Sequence, residues 1–379
     1  MEQICKPEQC TGCSLCASQC PKQCITMEEG VLGHFYPSID QERCIDCKLC
    51  QRKCPSLHPV VKAYPLKGYA AWAKDEADYK SSTSGAMASV LSSYIISTGG
   101  VVYGCAVLPN ITIAHIRVTE KEDLYKLKGS KYVQSSILKV LPQIKKDIKD
   151  GKKVLFIGTP CQVAAVKNMY RSTPDNLYLV DIICHGTPSN AFLKEYLTKH
   201  KNIEEEKVTN VKFRTPDAFS LQVFEGTKML YSSPNLWTNR YIDLYYNSFI
   251  DGFTYRLCCF NCLYAHSERS SDITIGDFWG LGAHTPCNIP EHRYGISAVL
   301  PITEKGMNLL NAVKNDINIY ERTPQEAIEG NEQLRHPKEM DWRIKLFQKY
   351  ATINNISILY PLFNIDKIAK YKLKRLLKK

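Results

Sequence analysis

Two nearly identical cysteine runs fall within the first 55 residues: "CTGCSLCASQCP" at 10–21 and "CIDCKLCQRKCP" at 44–55. Both read C-x2-C-x2-C-x3-C-P. That is the spacing by which one chain wraps two cubane iron–sulfur clusters, with the fourth cysteine of each run crossing to the other cluster. The following proline turns the chain away and makes the crossing natural. One [4Fe–4S] set is therefore Cys10, Cys13, Cys16 and Cys54; the other is Cys44, Cys47, Cys50 and Cys20. Zinc also takes four-cysteine sites, but rarely with this third and fourth cysteine, twice over. Cys5 and Cys24 stand outside the pattern and read as bystanders, Cys24 in the small core and Cys5 near the surface.

A further pair, Cys259 and Cys262 in "LCCFNCLY", has C-x-x-C spacing and no second pair after it. Two other joints offer the missing donors. In "FIGTPC" a strand at 153–157 runs into Gly158, Thr159, Pro160 and Cys161. In "DIICHGTP" a strand at 177–183 runs into Cys184, His185 and Gly186. If the helix from Gln162 to Tyr170 is a crossover, the two strands are parallel neighbours. Their carboxyl ends then share the sheet edge where open α/β sheets bind ligands. Cys161, Cys184, Cys259 and Cys262 thus form a candidate third cluster site. A structural zinc site on the same four, or free buried thiols, are the alternatives. Cys258 competes with Cys259 as ligand, although C-x2-C bites a metal better than C-x3-C. Cys161 is expected at a helix N-terminus, which favours thiolate. Cys105 and Cys287 read as buried bystanders. His185 is a candidate proton donor or a hydrogen bond to a cluster sulfur.

Several elements must carry these residues. "GYAAWA", "VVYGCAV", "ITIAHIRV", "KKVLFIG" and "LYLVDII" read as strands by their β-branched and aromatic runs. Between them, "TSGAMASVLSSYIISTGG" reads as a helix capped by Ser84 and ended by Gly99-Gly100. "SSILKVLPQIKKDIKDG" has helical spacing with a proline interruption, and "QVAAVKNMY" and "NAFLKEYLTKH" are helical. This order predicts an α/β central domain with a mixed, partly parallel sheet. A small α+β ferredoxin domain precedes it, and a helical region follows. The expected boundaries are 1–60, 61–303 and 304–379. Neither a G-x-G-x-x-G nor a G-x-x-x-x-G-K-[ST] signature is present.

The 379 residues are 44% hydrophobic and 23% charged, with 17 cysteines, too long a chain for a disulfide scaffold. "MEQICKPEQC" has no signal-peptide apolar region, and no apolar run reaches the roughly 20 residues of a membrane span. A reducing, cytoplasmic setting follows as the expectation. The formal charge of +11 does not point to nucleic acid. An oxidised cubane with four thiolates carries about −2, so three would leave about +5. Many of the basic residues also fall in the tail between Lys367 and Lys379. There Ile365, Ile368, Ala369, Leu373 and Leu376 share a helical face, a pattern suited to weak contact with an anionic membrane surface.

The order "STSGAMASVL…GGVVYGC", "LKGSKYVQS", "VLFIGTPCQVAAVK", "DIICHGTPS", "CFNC" and "RSSDITIGDFWG" resembles the coenzyme F(420) hydrogenase/dehydrogenase beta-subunit family. The resemblance covers about residues 65 to 300. It implies a flavin, FAD or FMN, beside the third cluster, and an oxidoreductase joining a two-electron carrier to one-electron centres. It implies Ser84, Gly85, Lys131, Tyr132, Gln134, Gly158, Thr159, Gly276 and Asp277 as flavin contacts, with Lys131 and His185 catalytic. Ala86 departs from the pattern, since a second glycine is common after Ser84-Gly85. A redox partner protein or electron carrier is implied; the small-molecule substrate is not. The alternatives are a non-catalytic relay subunit of a larger redox complex and a redox protein of a surface-polysaccharide pathway.

Overall fold

The computed structural model describes residues 2–215, 218–283 and 285–376. Each cysteine run makes one short helical turn, Leu15–Gln19 and Leu49–Arg52, entered through a left-handed residue, Ser14 (φ 61°) and Lys48 (φ 58°). Gly12 and Asp46, at equivalent places in the two runs, are also left-handed (φ 66° and 48°). Between the runs, β1 (Ile25–Glu29) and β2 (Phe35–Ile39) pair as a hairpin, Ile25 opposite Ile39. Ile4, Cys24, Ile25 and Cys50 make its small core.

The central domain is an eight-stranded sheet. Its strands are β3 (Gly68–Ala73), β4 (Val101–Leu108), β5 (Thr112–Val118), β6 (Val154–Gly158) and β7 (Leu177–Ile182). A separate three-stranded sheet follows in the chain: β8 (Asn210–Lys212), β9 (Gln222–Glu225) and β10 (Lys228–Ser232). The chain then re-enters the large sheet with β11 (Ile273–Asp277), β12 (Ser297–Pro301) and β13 (Ile317–Arg322). The spatial order is β13-β3-β12-β11-β7-β6-β4-β5. Pairs β4–β6, β6–β7 and β7–β11 are parallel, and the remaining pairs are antiparallel.

Alternation along the strands separates two cores. Val102, Leu155 and Val180 pack on one face with Leu91 and Ile95 of helix Met87–Ser97 and Leu309 of helix Glu304–Ala312. Tyr103, Phe156 and Leu179 pack on the other with Ile144 of helix Leu141–Lys149 and Val163 of helix Pro160–Asn168. Leu15, from the first cysteine run, is fully buried in this second core, so the ferredoxin domain is docked on the sheet domain. Tyr264 Oη donates to Pro55 O (3.0 Å), Asn168 Nδ2 to His58 O (2.9 Å) and Ser189 Oγ to Leu32 O (2.6 Å) across that junction.

Three local expectations differ from the fold. Helix Met87–Ser97 starts after Ala86, not at Ser84, whose hydroxyl instead donates to Ile296 O (3.1 Å). Ala86 takes φ 61° in a buried position, which is the conformation a glycine would enter without penalty. Pro142 lies in the first turn of helix Leu141–Lys149, where its missing N–H costs nothing, and begins the helix instead of interrupting it. Finally, β13 adds a strand within 304–379, the region expected to be helical cover. The helices that follow are Pro324–Gly330, Trp342–Tyr350, Ile356–Phe363 and Ile365–Leu376. The last buries no side chain; Ile365, Leu373 and Leu376 are exposed, and the basic Lys378 and Lys379 lie outside the described residues. Among the described residues no helix is long and apolar enough to cross a membrane.

Candidate functional site

Parallel pairing brings three strand ends to one edge. Gly158 of β6 lies opposite Asp181 of β7, and Ile182 opposite Ile275 of β11. The segments leaving those ends, Thr159–Cys161, Cys184–Gly186 and Gly276–Asp277, therefore converge. A buried polar network holds two of them. The Arg269 guanidinium donates to Asp181 Oδ2 (3.0 Å) and Tyr264 O (2.7 Å), and Thr274 Oγ1 donates to Asp181 Oδ1 (2.5 Å). Asp181 is fully buried, and burial raises its pKa against the opposing pull of Arg269.

Two cavities open at this edge. The smaller, about 240 Å³, is lined by Cys161, Cys184, Cys258, Cys259 and Cys262, and by Glu8, Gln9, Thr11 and Ser56 of the ferredoxin domain. Cys259 and Cys262 sit on a single 3₁₀ turn and its end, Leu257–Asn261 and Cys262. Both act electrostatically on Cys184, and Cys262 on Cys161, so thiols from three loops face one space. Cys258 is buried next to Cys259 and leans toward Arg256. Cys161 does stand in the first turn of helix Pro160–Asn168, as expected. Burial and the facing Cys262 nevertheless push its thiol well up. Among the described residues no three His, Cys, Asp or Glu close to the spacing of a single bound ion. A cubane spreads its thiolates over separate irons and asks for a wider set.

The larger cavity, about 280 Å³, lies at the lower edge of small-molecule sites. Its lining includes hydroxyls and lysines, Ser82, Thr83, Ser84, Ser130, Lys128 and Lys131, and apolar side chains, Ile157, Ile182, Ile183 and Ile275, together with Cys184 and His185. Lys131 donates its amine to Lys128 O (2.7 Å) and Leu127 O (3.0 Å), and burial brings its pKa down to about 8. Tyr132 stacks on Phe249 (5.3 Å between ring centres), and Asp277 pairs with Arg214 at 2.5 Å. The cavities share a wall of Ser135, Thr159, Gln162, Cys184, His185, Gly186 and Thr187. His185 turns its open surface to these cavities, and the surrounding burial lowers its pKa.

Seven of the nine residues implied as flavin contacts line the larger cavity: Ser84, Lys131, Tyr132, Gly158, Thr159, Gly276 and Asp277. Gly85 does not; it gives way to a close backbone approach by Ala71. Gln134 faces the smaller cavity instead and joins the ferredoxin domain through Thr11 O (2.9 Å). The ferredoxin cysteines lie in two groups. Cys16 lies among Cys10, Cys13 and Cys54, while Cys20, Cys44, Cys47 and Cys50 ring a small cavity of about 20 Å³.

Three cysteines read in the sequence as bystanders lie beside these sites. Cys5 meets Cys10 and Cys54, Cys24 Sγ lies 3.4 Å from Cys20 Sγ, and Cys105 lines the larger cavity near Lys131. Arg256 and Tyr264 fill the space between the Cys10 set and the smaller cavity. Each stands alone in sequence, outside any periodic pattern.

A family model for the C-terminal part of the coenzyme F420 hydrogenase/dehydrogenase beta subunit matches residues 151–327, which contain all four converging cysteines. A second, the 4Fe-4S dicluster domain, matches residues 9–57. The chain thus carries an N-terminal 4Fe-4S dicluster domain and a C-terminal domain that matches the coenzyme F420 hydrogenase/dehydrogenase beta-subunit model. No curated protein matches this chain. A solved structure, the xenon-derivatised F420-reducing [NiFe] hydrogenase complex from Methanosarcina barkeri, contains a similar chain. Identity is 18% and the TM-score 0.48, over 72% of this chain and 91% of that one. The dicluster domain and the matched oxidoreductase-associated domain together mark an iron–sulfur electron-transfer protein.

Proposed function

We propose that the chain relays electrons within a redox complex, between a two-electron carrier met at the larger cavity and a one-electron partner met at the ferredoxin domain. In this reading a flavin, FAD or FMN, occupies the larger cavity. A third [4Fe–4S] cluster rests on Cys161, Cys184, Cys259 and Cys262. The dicluster domain holds its clusters on Cys10, Cys13, Cys16 and Cys54 and on Cys44, Cys47, Cys50 and Cys20. A flavin exchanges electron pairs for single electrons, and each cubane handles one at a time.

The observation that carries this reading is the shared wall. Thr159, Cys184, His185 and Gly186 border both cavities, so a cofactor in one would abut a cluster in the other. The donor set fits a cubane, and the mixed polar and apolar lining of the larger cavity fits a flavin. Ser82, Thr83, Ser84 and Lys128, with the N-terminus of helix Met87–Ser97 nearby, suit phosphate. Lys131 brings a positive charge that favours an anionic ring. Ile157, Ile182 and Ile275 add apolar lining for a ring. His185 is positioned to hold a proton or to donate to a cluster sulfur. Residues 1–60 then serve as the outlet: Cys47 is exposed, and its neighbour Ile45 exposes an apolar side chain. That open end favours a relay that hands electrons to a second protein.

Anaerobic reconstitution with iron, sulfide and FAD or FMN, followed by a hydride donor such as reduced deazaflavin, tests the route. Wild type should bleach flavin and cluster absorbance together. Cys184→Ser should keep flavin reduction and leave the ferredoxin clusters oxidised on the same timescale. Equal cluster reduction in both proteins would contradict the route.

A further inference from the structure

Arg256 is the most buried large charged side chain of the molecule, 1% exposed. Its Nε donates to Cys10 O (2.5 Å), and its Nη2 to Cys10 Sγ (3.3 Å) and Phe35 O (2.7 Å). Nη1 reaches Gln134 Oε1 at 3.4 Å, and the guanidinium lies 4.2 Å over the Tyr36 ring. Its backbone N–H donates to Thr187 O (3.1 Å), and its carbonyl accepts from Cys259 N–H (2.9 Å). The same residue thus grips the first ferredoxin cysteine with its side chain and the third cysteine set with its backbone. Its place is provided for in the cysteine run itself: a Cβ on Gly12 would fall 2.7 Å from Arg256 Nη1.

Burying a guanidinium is costly unless an opposite charge compensates it. Among the described residues no carboxylate forms an ion pair with Arg256, and the charges that act on it most are Cys10 and Cys258, then Tyr36. Arg256 also acts on Cys259, so thiolates of a cluster at Cys10 and of one at Cys259 are the compensating charges the site is built around. An arginine keeps its charge at any accessible pH, so this is a fixed field and not a switch.

We propose that Arg256 is the positioning residue that couples the two clusters, raising the reduction potential of the Cys10 cluster so that electrons leave the third cluster toward it. This rests on the cofactor reading above. An electron arriving at the Cys10 cluster adds negative charge within hydrogen-bond distance of a cation held in a poorly screened interior. Hydrogen bonds and charge at cluster sulfurs are recognised levers on such potentials.

The test is a redox titration of the full-length, reconstituted protein followed by electron paramagnetic resonance, with iron, sulfide and flavin counted first. Arg256→Gln should lower the midpoint of the Cys10 cluster by at least a tenfold change in its one-electron equilibrium, about 59 mV. Arg256→Lys, which keeps the charge and loses the fork, should lower it by less than half as much. Unchanged midpoints in an Arg256→Gln protein with full iron would overturn the proposal. If Arg256→Gln loses the cluster, Gln134→Glu decides. It sets a carboxylate against Nη1 and should lower the same midpoint, and no change there also overturns the proposal. Failure of the underlying cofactor reading is distinguishable, because it appears in the iron and flavin counts of wild type before any titration.

Discussion

Arg269 offers a way to break the third cysteine set without touching a cysteine. Its guanidinium ties Tyr264 O, two residues beyond Cys262, to Ile182 O (3.4 Å) and Asp181 Oδ2, just before Cys184. The Arg269 and Asp181 side chains are 1% and 0% exposed. Arg269→Met leaves Asp181 buried without its cation, a loss of roughly 3–5 kcal/mol for a buried pair of this kind. Asp181 already has a raised pKa, from burial first, and removing Arg269 raises it further. A carboxyl with a raised folded-state pKa contributes stability below that pKa and loses it as pH rises through it. The deficit of Arg269→Met should therefore be largest at pH 8 and shrink toward pH 5. Replacing both partners with apolar residues, Asp181→Leu with Arg269→Met, should recover at least half of the lost stability, because no buried charge remains. Urea titrations read by tryptophan fluorescence at several pH values measure the stability. Iron assay measures the site, where the single variant should lose about a third of the iron with the ferredoxin signals intact. A variant with wild-type midpoint and full iron would refute the view that this network sets the spacing of Cys184 and Cys262.

Cys259→Ser and Cys184→Ser should each remove one cluster and leave the ferredoxin pair spectroscopically unchanged, while Cys258→Ser retains all three. Damage from Cys258→Ser alone would shift the ligand by one residue. Burial lowers the pKa of His34 to about 3 and of His115 to about 4, so both stay neutral in the fold at pH 5 while the unfolded chain is protonated there. A histidine with a depressed folded-state pKa costs stability as pH falls below about 6.5, by about 1.4 kcal/mol per pH unit for each. His34→Gln should remove about half of that combined slope between pH 6 and pH 5. An unaltered slope in urea titrations would exclude His34 as its source.

The sequence is most informative where chemistry imposes spacing. Both ferredoxin runs are legible because one cubane demands three close thiolates, and the converging loops are legible because β6 and β7 each end in a joint that runs straight into a cysteine. The parallel core of the sheet follows from its apolar runs. β8, β9 and β10 are three to five residues long and partly exposed, too short for alternation to register. β13 is an edge strand whose polar residues, Asn318, Glu321 and Arg322, dilute the pattern. Ala86 shows a departure acquiring a meaning, since its left-handed backbone explains why glycine suits that position. Arg256 was not legible at all: its role depends on 246 residues of separation from Cys10, and no local signal encodes that contact.

The central claim is that three clusters and one flavin lie in series. Joint quantification of iron, acid-labile sulfide and flavin in anaerobically reconstituted full-length protein tests it most directly. The account predicts about 12 iron, about 12 sulfide and about one flavin per chain. A value near eight iron with no flavin retained at micromolar concentrations would contradict it, leaving only the two ferredoxin clusters.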